Sequence, residues 1–579
     1  MGTGLTILDL AVMAVYVIVV VVIGFFFVRR GSSNVEAFFV SGHNLPWWLV
    51  GTSIAATSFA SDTPLWVTDI VRQFGIQAAW YLWAPVWGVV ITIFITGPLL
   101  RRTMMVTDVQ LAEFRYGGRY GAFLRVFSSG YYALVFNALV LSWVFAAMSF
   151  WGTELLGLDK YTAVIGGAVL ALSYALFSGL WGVVATDFLQ FAVATAGAIV
   201  LAILSVKQVG GVGEMVSRLE GLSAWEGRQL NILPRANSSL GLTLFCAYFG
   251  IQWILYANPL LHGAQRVLSC KSEKDVSLAL IWNTVTHNLL SVWPWVIVAI
   301  CSMLLFPRLA DNQTAYPKMV AAVLPAGLRG LMIAAILAAF MSTVDTHLNW
   351  GTSYIVNDIY RPFIRKSASE RHYLWVSRFA MLAIAAVGVI LGLMLKSIVD
   401  RFQFLSGMVI SFAPVLVARW FWWRVNAWSE IVAIAASAVF TFGMTLVKDW
   451  SGPEYFGHRL FTTMALTTAV WLVATFLTKP VELETLKKFY LRVRPLGFWK
   501  PVKVALGEQD TSSVGWKSWV EIAISCAVCV VFIYSSIIAT GQLILGRWQH
   551  GTILGMLALF SFLFVHRKLR RIDEHQKTA

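Results

Sequence analysis

Apolar runs separated by short polar stretches make up most of this chain. They fall at roughly 6–28, 45–70, 76–100, 122–153, 161–180, 183–206, 238–262, 276–305, 328–358, 371–397, 402–423, 429–448, 458–478, 516–541 and 549–566. Each is long enough, with tilt, to cross about 30 Å of hydrocarbon. Lipid admits helices or closed barrels as spanning structures, and these runs lack the alternation of barrel strands. The pattern therefore predicts an all-α polytopic membrane protein of about 15 transmembrane helices. The first run is too long and too weakly flanked for a cleaved signal peptide. The last is the weakest of the set.

Composition agrees with the pattern. Of 579 residues, 58% are hydrophobic and 13% charged, where a soluble chain carries about 25% charged residues. The net charge of +15 does not point to nucleic acid, because the basic residues sit in short loops, where they act as a topology signal. With the N-terminus outside, the inner loops hold roughly 29 Lys and Arg against 14 in the outer ones. That assigns a multi-pass protein of the plasma (inner) membrane with a cytoplasmic C-terminus. The expected partners are a small-molecule solute and the lipid bilayer, with no obligate protein partner. Five cysteines show no metal-ligand spacing, and the Cys526–Cys529 pair reads as packing within an apolar helix. Two loops are long enough to carry structure of their own or to be solvated linkers: 207–237, with a short amphipathic stretch at Glu214–Leu219, and 479–515, whose Lys, Arg, Phe and Trp suit anionic headgroups.

Two spans contain helix breakers. In Ala56-Thr57-Ser58-Phe59-Ala60-Ser61-Asp62-Thr63-Pro64, the proline frees the carbonyl near Ala60 and favours unwinding of the preceding turn. Gly250-Ile251-Gln252-Trp253 followed by Tyr256-Ala257-Asn258-Pro259 repeats the theme. Freed carbonyls at membrane depth require protein, ion or cavity to satisfy them. Paired breaks at corresponding positions of two repeats are a mark of secondary transporters. If 45–206 and 238–426 are the repeats, both breaks fall in the first helix of each.

A third stretch, Ala334 to Thr346, begins as an apolar helix and then carries Ser342, Thr343, Asp345 and Thr346. Helical spacing puts Ala339, Ser342, Asp345 and Thr346 on one face. A carboxylate within a spanning helix is a functional-site hypothesis by default, and oxygen donors without nitrogen or thiol suit a hard cation. Asp187, at the start of the sixth span, is a further acid, read either as a functional group or as the N-cap of that span. Asp69 and Arg72 read as an ordinary pair at a helix rim.

The chain resembles the sodium:solute symporter family over roughly residues 5–450. The likeness rests on Ser41-Gly42-His43-Asn44-Leu45-Pro46, Leu111-Ala112-Glu113-Phe114-Arg115-Tyr116-Gly117, Gly179-Leu180-Trp181 through Asp187 to Gln190, Gln265-Arg266, and Leu337 to Asp345 leading into Asn357-Asp358-Ile359-Tyr360. The resemblance implies a five-plus-five inverted-repeat, leucine-transporter-like core at 45–426. One extra helix with its inner loop precedes it (1–44), and about four peripheral helices follow (427–579). It implies a main Na⁺ site from Ala56, Phe59, Ala339, Ser342 and Thr343, and a second Na⁺ or H⁺ at Ser342, Asp345, Thr346 and Asp187. Members usually carry Ser where this chain has Asp345. Candidate solute contacts, beside the first break, are Asp62, Thr63, Trp66, Gln77, Asn137, Trp253 and Tyr256.

The expected activity is sodium-coupled uptake of a small organic solute, a sugar or polyol first. An amino acid, an amine or proton coupling are the alternatives. The region Tyr131 to Trp143 has no Arg, which argues against an acidic sugar. No HExxH or GxSxG motif supports an intramembrane enzyme, and the stretch after 566 leaves no room for the output domain of a sensor.

Overall fold

The computed structural model describes residues 5–31, 35–222, 228–233, 248–259, 261–394, 398–447, 455–507 and 516–578. These form an all-helical bundle in which eleven helices are long and apolar enough to cross a membrane. The elements used below are α1 (Ile7–Gly31), α2 (Trp47–Ser58), α3 (Thr63–Phe74), α4 (Lys160–Gln208), α5 (Leu261–Ser269), α6 (Glu273–Thr286), α7 (Leu328–Ser353), α8 (Leu483–Val493) and α9 (Lys500–Ala505). Four predicted spans stand outside the eleven, each for a visible reason. The run at 6–28 is helical as α1, but little of it beyond Val20 has described side chains. The run at 45–70 is broken into α2 and α3. Residues 238–247 lie outside the described residues, and the rest of that span is interrupted before α5. The run at 161–180 is joined to the next span within α4, 49 residues of continuous helical backbone.

Side-chain contacts show that α4 nonetheless doubles back. A Cβ on Gly167 would lie 3.2 Å from the Phe340 ring, and Asp187 accepts a 2.5 Å hydrogen bond from Ser342. A straight helix would separate residues 20 positions apart by about 30 Å, whereas Phe340 and Ser342 are less than a turn apart on α7. Lys160 reaches the Leu393 carbonyl and Arg378 the Leu176 carbonyl. The first part of α4 therefore runs opposite to the helix Glu370–Leu393, and α4 is sharply bent between its two apolar runs.

Loops assigned to the same side by their charge meet one another. At one end Arg102 pairs with Glu273 and donates to the Val493 carbonyl, Arg125 pairs with Asp358, and Arg115 donates to the carbonyls of Arg419, Trp422 and Trp423. At the other, Asp9 accepts from the backbone of Gly327 and Gly330. Arg72 there donates to Asn312, Ser302 and the Phe306 carbonyl. This corrects the reading of Asp69 and Arg72 as a rim pair. Both are buried, and Arg72 fastens α3 to a distant loop while Gln73 donates to Asp69. The stretch Glu214–Leu219 lies in a short helix, Val212–Glu220, that buries Met215 and Leu219.

The breaks fall where the prolines put them. Helix α2 ends at Ser58, Phe59 leaves helical geometry, and α3 restarts with Pro64 in its first turn. At the second break the carbonyls that lose their helical partners are taken by hydroxyls. Thr92 donates to Tyr256 at 2.6 Å and Thr96 to Ala257 at 2.8 Å. The helix bearing those threonines approaches closely enough that a Cβ on Gly88 would fall 1.9 Å from the Trp253 carbonyl oxygen. Glycine is required there by space, not by backbone angle.

Candidate functional site

Where α2, α4, α5 and α7 cross, a polar cluster is sealed from solvent. Asp187 accepts hydrogen bonds from Ser342 on one oxygen and from Ser53 on the other. Arg266 of α5 pairs with the second oxygen at 3.3 Å, both side chains being fully buried. The same guanidinium donates to Ser53 (2.8 Å), Thr346 (2.6 Å) and Thr57 (3.3 Å). A buried ion pair is tolerable when its remaining donors and acceptors are satisfied; here both Asp187 oxygens and Arg266 Nε and Nη2 are, while Arg266 Nη1 has no partner among the described residues. The reading of Asp187 as a helix cap is thereby corrected. It sits inside α4 with no free backbone N–H to serve, and its partners come from three other elements.

One turn along α7, the Thr343 hydroxyl lies 2.9 Å from the Ala339 carbonyl and 3.4 Å from the Thr57 carbonyl. Thr57 is two residues from Phe59, where α2 unwinds, so α7 hydroxyls and the frayed end of α2 share one small volume. Its donors are oxygens, which suits a hard monovalent cation. Asp345 is 1% exposed, and neither of its carboxylate oxygens has a hydrogen-bond partner among the described residues. Tyr16 of α1 lies within electrostatic reach of Asp345 and Asp187.

Beside this cluster lies a cavity of about 450 Å³, lined by residues of α2, α3, α5, α6 and α7 and by both breaks. That is the size of a site for a small organic molecule. Apolar walls come from Trp66, Tyr81, Phe136 and Trp143. Polar groups converge from opposite sides: Asp62 at the first break, Gln252 before the second, and Asn283, His287 and Asn288 at i, i+4, i+5 spacing from α6 into the turn that follows it. Asp62 Oδ1, Gln252 Oε1, Asn283 Oδ1, His287 Nδ1 and Asn288 Oδ1 have no hydrogen-bond partner among the described residues. Several wall residues stand on widened helical turns of the π type. Thr92 lies in Thr92–Thr96, Gln252 in Tyr248–Gln252, and His287 and Asn288 in His287–Val292. Such turns concentrate at functional sites because they re-aim side chains.

Comparison with known proteins fixes what this arrangement belongs to. The model of the sodium:solute symporter family matches residues 38–435. The chain belongs to that family. Among its relatives are a sodium/mannose cotransporter of Bos taurus, 26% identical over 479 residues (76% of this chain, 79% of the relative). A sodium/glucose cotransporter of Vibrio parahaemolyticus is 25% identical over 471 residues (76% and 85%). A sodium/myo-inositol cotransporter 2 of Rattus norvegicus is 27% identical over 424 residues (66% and 60%). The structure of a Na⁺-coupled sialic acid symporter in a substrate-bound outward-open state superimposes with a TM-score of 0.69 at 18% identity, covering 82% of this chain and 99% of that one. The last likeness shows a shared fold.

Within this symporter, the structure brings Asp62, Thr63, Trp66 and Tyr256 to the cavity wall. It leaves Gln77, Asn137 and Trp253 off it. Gln77 is buried and donates to the Phe74 carbonyl, and the Trp253 indole donates to the Gly250 carbonyl. Asn137 stands one layer behind: it is 2.7 Å from His347 Nδ1 and donates to the His347 carbonyl at 2.8 Å. His347, which lines the cavity, was not singled out from the sequence, and neither were Asn283, His287 and Asn288. Their signal was available as polar residues recurring at helical spacing inside an apolar span. Arg266 was visible as part of a motif, but its pairing with Asp187, 79 positions away, was not.

Proposed function

We propose that this symporter takes up a neutral polyhydroxyl solute, a sugar or related polyol, driven by inward Na⁺ flow through alternating access. The observation that carries the solute reading is the set of cavity-lining residues whose polar atoms, mostly acceptors, have no partner among the described residues. Buried acceptors left without donors are costly, so the solute that fits is one rich in hydroxyl donors. The apolar faces of Trp66 and Trp143 suit a ring. Relatives named for mannose, glucose and myo-inositol support the same class. Asp62 equally suits an ammonium group, so an amine is the second reading.

For the ion, we assign the carbonyls of Ala56, Phe59 and Ala339 and the hydroxyls of Ser342 and Thr343. The approach of Thr343 to the Ala339 and Thr57 carbonyls supports this. A second cation would use Asp345 with Ser342, Thr346 and Asp187, and the two unpartnered oxygens of Asp345 favour it. The architecture in this reading is about fifteen spans around a five-plus-five repeat at 45–426, N-terminus outside, in the plasma (inner) membrane. The two breaks and the meeting of like-charged loops support it.

One Na⁺ crossing 100 mV supplies about 2.3 kcal/mol, enough for roughly 50-fold accumulation before any concentration term. Bound Na⁺ would join α7 to the frayed end of α2 and stabilise the conformation whose cavity accepts solute. Solute then shifts the equilibrium by its differential affinity. The test is uptake in proteoliposomes with an imposed Na⁺ gradient. Ser342→Ala with Thr343→Ala should lower Na⁺-driven uptake more than about 10-fold, the loss of roughly 1.4 kcal/mol or more in ion binding. Uptake that ignores the Na⁺ gradient, or follows a pH gradient instead, would overturn the proposal.

A further inference from the structure

The segment 479–507 follows the helix Phe456–Leu477 and is tied to one end of the bundle. It carries seven Lys and Arg (Lys479, Lys487, Lys488, Arg492, Arg494, Lys500, Lys503) against two acids (Glu482, Glu484), a net charge of +5. Its helix α8 is two-faced. Leu486, Phe489, Tyr490 and Val493 are buried, and behind them Arg115 lies fully buried against the rings of Phe489 and Trp499 at 5.1 and 4.7 Å. The opposite face presents Lys488, Leu491 and Arg492 at i, i+3, i+4, all exposed.

The chain after α8 continues that face. Arg494 and Lys500 are exposed, and between them Phe498 is 76% exposed. The backbone at Phe498 is held in place on both sides. Its N–H donates to the Phe421 carbonyl at 2.6 Å and its carbonyl accepts from Trp423 at 3.3 Å. The preceding Gly497 has φ +102°, and a Cβ there would sit 2.5 Å from the Phe421 oxygen, so the turn that presents Phe498 admits only glycine. Beside it the rings of Trp422 and Phe476, and of Phe421 and Trp519, pair at 5.7 and 6.3 Å. Tryptophan-rich girdles of this kind sit at the level of the lipid headgroups. A basic face with apolar residues set into it, anchored at that level, has the composition of an interfacial helix.

We propose that Lys488, Leu491, Arg492, Arg494, Phe498 and Lys500 form a docking surface for anionic phospholipid headgroups of the adjacent leaflet. The cations attract the lipid phosphates, and Leu491 and Phe498 enter the acyl boundary. The occupant is lipid, because the face adjoins the membrane girdle, is continuous with it and has complementary charge. Through Arg102 and Arg115 the same segment is bonded to the helices Gly97–Arg102 and Gln110–Tyr116, and Arg115 reaches on to the end of the helix Ile398–Phe421, so lipid charge acts on the transport core from outside the solute and ion sites.

The test uses the full chain in nanodiscs of phosphatidylcholine alone or mixed with phosphatidylglycerol, read by thermal melting. The anionic lipid should raise Tm, and the rise should shrink as salt shortens the Debye length. The variant K488A/R492A/R494A/K500A, compared with itself in the two lipids, should lose the lipid-dependent rise. Phe498→Ser should lose part of it. An equal rise in the quadruple variant, no rise in the native chain, or a rise produced by soluble inorganic phosphate in phosphatidylcholine discs would each overturn the proposal. None of these readouts depends on Na⁺ or solute, so this test stands apart from that of the transport reading.

Discussion

Asp187 and Arg266 place full charges at the middle of a hydrocarbon-spanning bundle, and their position decides how the site behaves when either is changed. Removing one member leaves the other uncompensated, which in buried pairs costs about 3–5 kcal/mol. Arg266→Met should therefore lower the melting temperature sharply, and Asp187→Asn in the same chain should restore part of it, because the orphan charge is gone. A melt in which the double variant is no more stable than Arg266→Met would contradict the pairing. The cavity wall makes a separable prediction. Asn283→Leu or Asn288→Leu removes one unpartnered amide oxygen from a residue that lines the cavity. If that acceptor receives a solute hydroxyl, solute affinity should weaken by roughly 5–10-fold, the worth of about one neutral hydrogen bond. Stabilisation by Na⁺ alone should be unchanged, as seen in thermal shift with each ligand added separately. Sequence made the acids conspicuous, because a carboxylate in an apolar run is rare. It could not give their partners, since Ser53, Asp187, Arg266 and Ser342 lie on four separate elements.

The two interrupted helices show how much of an element is legible and where that stops. Pro64 and Pro259 marked the breaks, because a proline removes a donor and clashes with the preceding turn. What satisfies the freed carbonyls depends on which helix crosses there, and that was not readable. At the second break the answer is Thr92 and Thr96, one turn apart on a helix whose Gly88 allows the approach. Thr92→Val with Thr96→Val should remove the donors to the Tyr256 and Ala257 carbonyls, at about 0.5–1.5 kcal/mol each. Gly88→Ala should be worse, since its Cβ would meet backbone and not a side chain that can turn aside. Both losses should appear as lowered melting temperature with and without Na⁺. Restoration of the Gly88→Ala melt to the native value by Na⁺ would mean that the break, and not the packing beside it, is the element under strain. Element ends were legible for the same local reasons, but α4 misleads in the other direction: its two apolar runs are joined without a loop, and only its contacts with Phe340 and Ser342 reveal the bend between them.

At the scale of the whole molecule, the apolar pattern and loop charges were enough to separate the two ends of the bundle, because each span has one length scale and each loop one side. The packing of α7 against α2 and α4 was beyond them, since every spanning helix is apolar and lipid gives no direction to its faces. That packing is what couples the ligands. Thr343 contacts the end of α2 and also lines the cavity, and His347, four residues on along the same helix, lines it too. A cation that orders Thr343 therefore orders the wall that the solute touches. Binding free energies are reciprocal, with couplings of about 1–3 kcal/mol, or 5–150-fold in affinity. A thermal-shift screen of hexoses, polyols, amino acids and amines, with Na⁺ and with an impermeant organic cation in its place, should single out a solute whose stabilisation is larger in Na⁺. The same solute should lower the Na⁺ concentration that gives half-maximal stabilisation by the same factor. Thr343→Ala should reduce both effects together, because one hydroxyl stands at the junction. Two unequal factors in the native chain would mean that the two ligands do not share one equilibrium, and solute would then reach its cavity without help from the ion.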